Sequence, residues 1–340
     1  MSLKKIAELA GTSVATVSRV LNNPEYHCHD EALTKRIRET AKKLNYTPND
    51  SARALKQSQT TIPNKQYCID VLLARFDHME KDSFFAEIYR YIEAELYIQG
   101  YSVGNMLTMR DVSELSLSQR TKLRDGLVIL GKCPEIAVDT VQRAYKAVVA
   151  IDRNPMDYKM DEVTCSGAKA AQMAVEYLIE LGHSKIGYIG DCTMEARYYG
   201  YHETMLNHKL AISYDYIISS NQTREEGYQA FHTLSSLRVP PTAIFCANDI
   251  TALGFIQAMK ETNGRKKKNI YQPAIISIDD IEEASAAHPM LTTIQIPKSD
   301  MVHMAILTLK DRLEGNHKEC IRLELPCHLI VRETSGMYIK

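Results

Sequence analysis

Residues 2–23 read SLKKIAELAGTSVATVSRVLNN, and the rest of the chain is interpreted outward from them. Ser2 precedes a periodic run and is placed to cap the free N–H groups of a first turn. Ile6, Leu9 and Ala10 repeat at i, i+3, i+4, which predicts an amphipathic helix with these three on its buried face. Gly11 tolerates a positive φ and ends that helix. Ser13 then caps a second helix, whose buried stripe is Val17, Val20 and Leu21. Val14, Ala15, Thr16 and Arg19 are left on its outer face. Small apolar groups can meet a thymine methyl, and Arg can pair bidentately with guanine. A helix, a tight turn and a second helix of this kind suit the major groove, with Ser13, Val14, Ala15, Thr16 and Arg19 as the candidate DNA contacts. The same periodicity also fits two ordinary core helices with an exposed Arg, so the following segment matters.

Leu33, Ile37, Ala41 and Leu44 make a third apolar stripe at i, i+4, i+8, i+11, enough to close a small three-helix core. Tyr46-Thr47-Pro48 is a helix stop. Residues 49–57, NDSARALKQ, are helix-prone but too short to be helical alone, because nucleation is costly. Arg53 and Lys56 suit phosphates, and Leu55 suits a wedge in the minor groove. This segment is therefore expected to order on DNA.

AxxAGTSVATVSRVLN followed by YTPNxxARAL resembles the start of bacterial repressors of the LacI–GalR family, and the likeness continues along nearly the whole chain. The resemblance implies a headpiece that reads the major groove and a hinge helix that pushes a leucine into the centre of a near-palindromic operator. By position, Val14, Ala15 and Arg19 would be base readers, Leu55 the wedge, and Ala52 and Arg53 part of the hinge. Thr12 departs from the usual valine. The loop NPEYHCHD, 23–30, is longer than the family norm and lacks its Val-Ser-x-x-Thr start to the third helix, which leaves operator choice near that loop open.

Composition agrees with a small DNA reader on a different body. The 340 residues carry a formal charge of −1 and 45% hydrophobic residues, ample for a core. The first 60 residues hold 10 Lys and Arg against 6 Asp and Glu; the remainder hold 31 against 36. A basic head thus precedes an acidic body. No apolar run reaches 18 residues, and no apolar leader precedes the first helix, so a cytoplasmic protein without a membrane segment is expected. The eight cysteines are scattered, with no C-x-x-C, as suits a reducing compartment. Cys28 between His27 and His29 reads as incidental, and no metal or cofactor is expected.

From Tyr67 the pattern alternates strand and helix. YCIDVLLA, YSVGNML, LVIL and residues 147–151 read as strands, with SFFAEIYRYIEAELYIQG a helix ended by Gly100. A second set follows: helix 168–181 closed by Gly182-His183, then KIGYIG, helix 195–208, DYIIS, helix 225–237, TAIFCA, helix 250–262, AIISID, the stretch 290–296 and a long helix 299–314. This predicts two doubly wound parallel-sheet subdomains with a cleft at the strand ends. The fold class is an all-α helix-turn-helix headpiece with a hinge, on an α/β core like that of periplasmic binding proteins. The expected domains are 1–48, 49–66 and 67–340. Late crossovers between subdomains are implied by the resemblance only. The run Arg265-Lys266-Lys267-Lys268 reads as a solvated loop.

Polar residues follow the strands where cleft residues belong: Asp152, Asn248-Asp249 and Asp279-Asp280, with Arg197 after KIGYIG. Carboxylates accept from hydroxyls, and Arg donates in a fixed plane, so a neutral polyol fits. Phe84 and Phe85 can cover the apolar face of a pyranose. DSFFAEI, ELGHSKIGYIG, ARYYGY, FCANDITALG, ISIDDIEEA, HPMLTTI and HLIVRET match the family's motifs; by position Arg197, Asn248 and Asp279, and more weakly Asp152 and Phe84, correspond to its effector ligands. Asp249 and Asp280 read instead as structural, capping the helices that follow them. Ser166 and Ala170 stand where the family has Asp and Gly. The resemblance also gives Lys298 a part in choosing the ligand.

The resulting expectation is a homodimeric repressor of sugar-utilisation genes, released from its operator by galactose or a galactoside, since DSFFAEIYRYIEAEL and the long headpiece loop look most like galactose-operon regulators. A corepressor or non-sugar effector is the alternative. A solute-binding protein would not carry the headpiece. An enzyme is not expected: there is no G-x-S-x-G, no Walker loop and no G-x-G-x-x-G, and His183 reads as a helix-end residue.

Overall fold

The computed structural model describes residues 3–13, 16–17, 20, 31–43, 67–74, 83–117, 123–152, 160–265 and 271–336. The chain divides into two units, 1–65 and 66–340.

In the first unit, helix α1 (Leu3–Ala10) ends at Gly11, whose φ is +66°. Thr12 N donates to Ala7 O, which turns the chain back. Ser13 Oγ accepts from Thr16 N at 3.1 Å, the expected cap, and Thr16, Val17 and Val20 are helical. Helix α2 (Glu31–Lys43) packs on α1. The core is Ile6, Ala7, Ala10, Val17, Val20, Ile37 and Ala41, with Leu33 half-buried against it. One expectation fails. Leu9 is 58% exposed, and Ala7 takes its place in the stripe. The helix meets its neighbours on a narrow face, one alanine wide, and the larger leucine is turned outward.

The second unit contains two sheets. The strands of the first are β1 (Cys68–Leu73), β2 (Ser102–Thr108), β3 (Arg124–Leu130), β4 (Tyr145–Asp152), β5 (Asp161–Thr164) and β11 (Arg322–Glu324). Their order is β11-β5-β4-β3-β1-β2, all parallel. Helices α3 (Ser83–Ile98), α4 (Met109–Leu117), α5 (Glu135–Ala144) and α11 (Lys298–Leu313) accompany it. The second sheet runs β12-β10-β9-β8-β6-β7, from β6 (Ile186–Gly190), β7 (Ile217–Ser219), β8 (Ala243–Cys246), β9 (Ala274–Asp279), β10 (Thr292–Gln295) and β12 (His328–Ile330). Only the edge strand β12 is antiparallel. Its helices are α6 (Gly167–Glu180), α7 (Ala196–Asn207), α8 (Arg224–Ser235), α9 (Asp249–Arg265) and α10 (Glu282–Ala286).

Period-2 alternation in β3 sends Leu127 and Ile129 to one face and Val128 and Leu130 to the other. Both faces are covered, as buried parallel strands require. Gly100 and Gly182 end α3 and α6 at φ of +76° and +89°. The chain crosses between subdomains three times: at 165–166 from β5 to α6, at 296–297 from β10 to α11, and at 325–327 from β11 to β12. Each crossing leaves the C-terminal end of a strand, so those ends of both sheets border one cleft.

Candidate functional site

In the headpiece, Ser13 is exposed and Thr16 half-buried, while Val17 and Val20 are core. Val14, Ala15 and Arg19 lie outside the described residues, as do Arg53, Leu55 and Lys56.

In the core, the cleft wall of the second subdomain is a closed hydrogen-bond network. β6 ends at Gly190, where a Cβ would collide with Ala247 Cβ at 2.5 Å. The loop then turns on Asp191, whose carboxylate accepts from Thr193 N at 2.7 Å. Glu195 caps α7 and also pairs with Arg197 through Nε–Oε1 (2.8 Å) and Nη2–Oε2 (2.9 Å). Arg197 is 1% exposed; Nη1 donates to Ala247 O at 2.7 Å and Nη2 to Gln222 Oε1 at 3.0 Å. A buried guanidinium is tolerable only with such partners. Asn248 caps α9 by accepting from Thr251 N at 3.0 Å, and its Nδ2 donates to Gln222 O at 3.1 Å. Gln222, at φ +65°, therefore joins Arg197 to Asn248 through its side chain and its backbone. It is 6% exposed, and its Nε2 has no hydrogen-bond partner among the described residues. The sequence reading missed Gln222, because its loop carries no motif; only its place after a strand could have suggested it.

Asp279 ends β9, is buried, and has φ +127°; Asp280 follows at φ +50°. Two such residues in the left-handed half of φ space carry strain that the surroundings must hold. Lys298 supplies the hold: its Nζ donates to Asp279 O (3.1 Å) and Asp280 O (2.8 Å). The same ammonium pairs with Glu87 Oε2 at 2.5 Å and lies 5.7 Å from the centroid of the Phe84 ring. Glu87 Oε1 in turn accepts from Glu282 N. Phe84, fully buried, packs edge-on against Phe85 with centroids 5.1 Å apart. The structure thus links Arg197 to Asn248, and Asp279 to Phe84. Asp152 ends β4, half-buried, on the opposite sheet.

Asp249 and Asp280 are structural, though neither acts as the expected cap. Asp249 accepts from Ser277 Oγ, Thr293 Oγ1 and Ile281 N, tying three segments together. Burial, with the Asp279 carboxylate nearby, pushes its carboxyl up to about 7. Asp280 accepts from Arg332 Nη2 (2.6 Å) and Gln295 Nε2 (2.9 Å). His183 donates or accepts at Thr242 Oγ1, 3.0 Å away, and burial lowers its pKa. No group of three or more potential metal ligands occurs among the described residues.

Residues 2–49 match the family model for bacterial regulatory proteins of the lacI family, and residues 175–335 match that for a periplasmic binding protein-like domain. The ribose operon repressor of Escherichia coli is 30% identical over 342 residues, covering 97% of this chain and 98% of the relative. The chain belongs to the LacI family. It is a DNA-binding transcriptional repressor, not an enzyme. The HTH-type transcriptional repressor PurR of Haemophilus influenzae is 30% identical over 349 residues, 98% of each chain. Among solved structures, the transcriptional regulator CelR–cellobiose complex superposes with a TM-score of 0.68 at 22% identity, covering 98% of this chain and 99% of the other. This LacI-family chain thus has the expected two-subdomain α/β core. The galactose-operon subtype suggested by DSFFAEIYRYIEAEL is not the one these relatives carry. No helix among the described residues is long and apolar enough to cross a membrane.

Proposed function

We propose that this repressor acts as a homodimer on a near-palindromic operator and is released by a small neutral sugar in the cleft, with galactose or a galactoside the first to test. The observation that carries the reading is the hydrogen-bonding character of the second-subdomain wall. There the buried Gln222 amide nitrogen has no acceptor among the described residues, beside Arg197 and Asn248. An unsatisfied buried donor costs about 1–3 kcal/mol, which a ligand hydroxyl would recover. Asp152 and Phe84 would complete the site from the other wall, with Lys298 setting the position of the Phe84 ring.

A purine is the second reading, because PurR proteins are among the relatives. It would gain most from an aromatic face on the wall where this chain has Gln222. Ribose is a third candidate, by the name of the E. coli relative. The opposite sign, a corepressor that strengthens DNA binding, goes with the purine reading.

In the proposed arrangement residues 1–48 form the headpiece, 49–66 the hinge and 67–340 the core, acting in the cytoplasm. Ser13, Val14, Ala15, Thr16 and Arg19 read the operator, while Arg53 and Lys56 hold phosphates and Leu55 wedges the minor groove.

The test is thermal melting of the full chain with galactosides, ribose, other sugars and purines, followed by operator binding with whichever ligand raises the melting temperature. A galactoside or other sugar that raises it and weakens operator binding is the expected result. Stabilisation by a purine alone, with tighter operator binding, would overturn the sugar reading.

A further inference from the structure

Two of the eight scattered cysteines meet at the pivot of the core. β5 and β11 run parallel with Glu324 opposite Thr164, and Leu325 N donates to Thr164 O at 2.9 Å. Both chains then leave the sheet side by side, as the first crossover (165–166) and the third (325–327). Cys165 lies on the first and Cys327 on the third. The two side chains pack in the same core cluster, with the Cys165 thiol within reach of the Cys327 sulfur. Cys165 is fully buried and Cys327 half-buried. We propose that Cys165 and Cys327 are an oxidisable pair, able to form a disulfide that joins two of the three strands connecting the subdomains.

The Cys165 thiol beside it favours the Cys327 thiolate and lowers its pKa, against burial and the Asp279 and Glu324 carboxylates. Cys327 is also the more accessible of the two, so it is the attacking group. With a peroxide, the Cys327 thiolate attacks one oxygen and breaks the O–O bond. This gives a sulfenic acid and one water after proton transfer. The Cys165 sulfur then attacks the Cys327 sulfur and displaces the second water, so two thiols and one peroxide become one disulfide and two waters. The carboxylate of Asp279 lies near enough to oppose the thiolate. The segments joined by the disulfide are crossovers outside the sheet ladders, and the bond requires their Cα atoms to lie within roughly 7 Å of each other.

The full chain, freshly reduced, would be treated with one equivalent of hydrogen peroxide, alkylated, digested without reductant and mapped by mass spectrometry. A joined peptide pair containing Cys165 and Cys327 is expected, reversed by dithiothreitol. Cys165→Ser should instead leave Cys327 as a sulfenic acid that dimedone labels, and Cys327→Ser should leave Cys165 a free thiol. The linked chain should also melt higher, since the bond constrains the unfolded state. The proposal fails if both thiols remain alkylatable, or if either is joined to the exposed Cys68 or Cys320 instead. Neither result depends on which effector the cleft takes.

Discussion

On the second-subdomain side of the cleft, Glu195, Arg197, Gln222 and Asn248 hold one another through bonds that converge from three strand ends. On the first-subdomain side, the buried ammonium of Lys298 ties Glu87 and Phe84 to the Asp279-Asp280 turn, and Glu282 N to Glu87, Ser83 to Glu283 and Arg90 to Glu282 add bonds beside it. The first arrangement is redundant and preorganised; losing one bond leaves others. The second concentrates a buried charge pair, a strained turn and an aromatic contact on one side chain. A preorganised wall would set ligand geometry, whereas a wall whose buried contacts centre on one charge could be repositioned when the subdomains move.

The sharpest way to break this contrast is Lys298→Met. It leaves Glu87 buried and unpaired, and removal of one partner of a buried pair costs about 3–5 kcal/mol. Urea unfolding should show that loss, and a loss below about 1 kcal/mol would mean that Glu282 N and the exposed bonds beside it suffice to hold the first wall. Arg197→Ala should cost less stability but abolish the response to effector, with operator affinity unchanged. A mutant still released at the wild-type sugar concentration would remove Arg197 from the site. Leu55→Ala sharpens the comparison from outside the cleft: operator affinity should fall by about tenfold or more, as expected for a lost wedge, with sugar affinity unaffected.

The pH dependence isolates the turn between the walls. The native state holds a proton on Asp249 up to about pH 7, while an unfolded Asp releases it in the ordinary carboxylate range. This contribution to stability is therefore full below that range and lost as pH rises through 7, by at most about 1.4 kcal/mol per pH unit. Asp249→Asn should flatten the fall between pH 5 and 8 in urea unfolding. An equal slope in the mutant would show that Asp249 ionises freely. Asp161 works in the opposite sense at acid pH. Burial raises its carboxyl, but Arg312, the Ile321 N–H and His317 more than offset this and hold it below the usual range. The smallest expected effect is that of Gln222→Ala. It should weaken sugar binding about fivefold to tenfold in titration, roughly one hydrogen bond, and lower the melting temperature modestly, because Arg197 Nη2 loses one acceptor and keeps Glu195. No change in affinity would detach Gln222 from the ligand.

The parallel strands were legible because strands buried on both faces read as continuous apolar runs, as YCIDVLLA and AIISID do. Helices α4 and α5 were not, since MRDVSELSL and EIAVDTVQRA are only nine and ten residues long, although both are amphipathic. The strands β5, β11 and β12 have three or four residues each and are defined by neighbours far away in sequence. Leu9 was misplaced for a different reason: spacing identifies an apolar face but not which of two adjacent residues fits a tight contact. In the cleft, Arg197, Asn248 and Asp279 were recognisable from their places after strands. Gln222 and the Cys165–Cys327 meeting were not, because each depends on chains brought together by the fold. The link from Lys298 to Glu87 was likewise invisible, although Lys298 itself had been singled out.

Helices α8 and α9 approach so closely that a methyl on Gly227 would meet Thr251 O at 2.0 Å, and one on Gly254 would meet Arg224 O at 1.9 Å. The two contacts are reciprocal, each helix giving up a side chain where the other's backbone arrives. The pair consequently has no slack with which to absorb a displacement. Gln222 precedes one helix and Asn248 the other. A tilt imposed on one helix would therefore carry the other with it, much as a stiff beam carries movement from one end to the other. Two hydrogen atoms in place of two side chains set that stiffness.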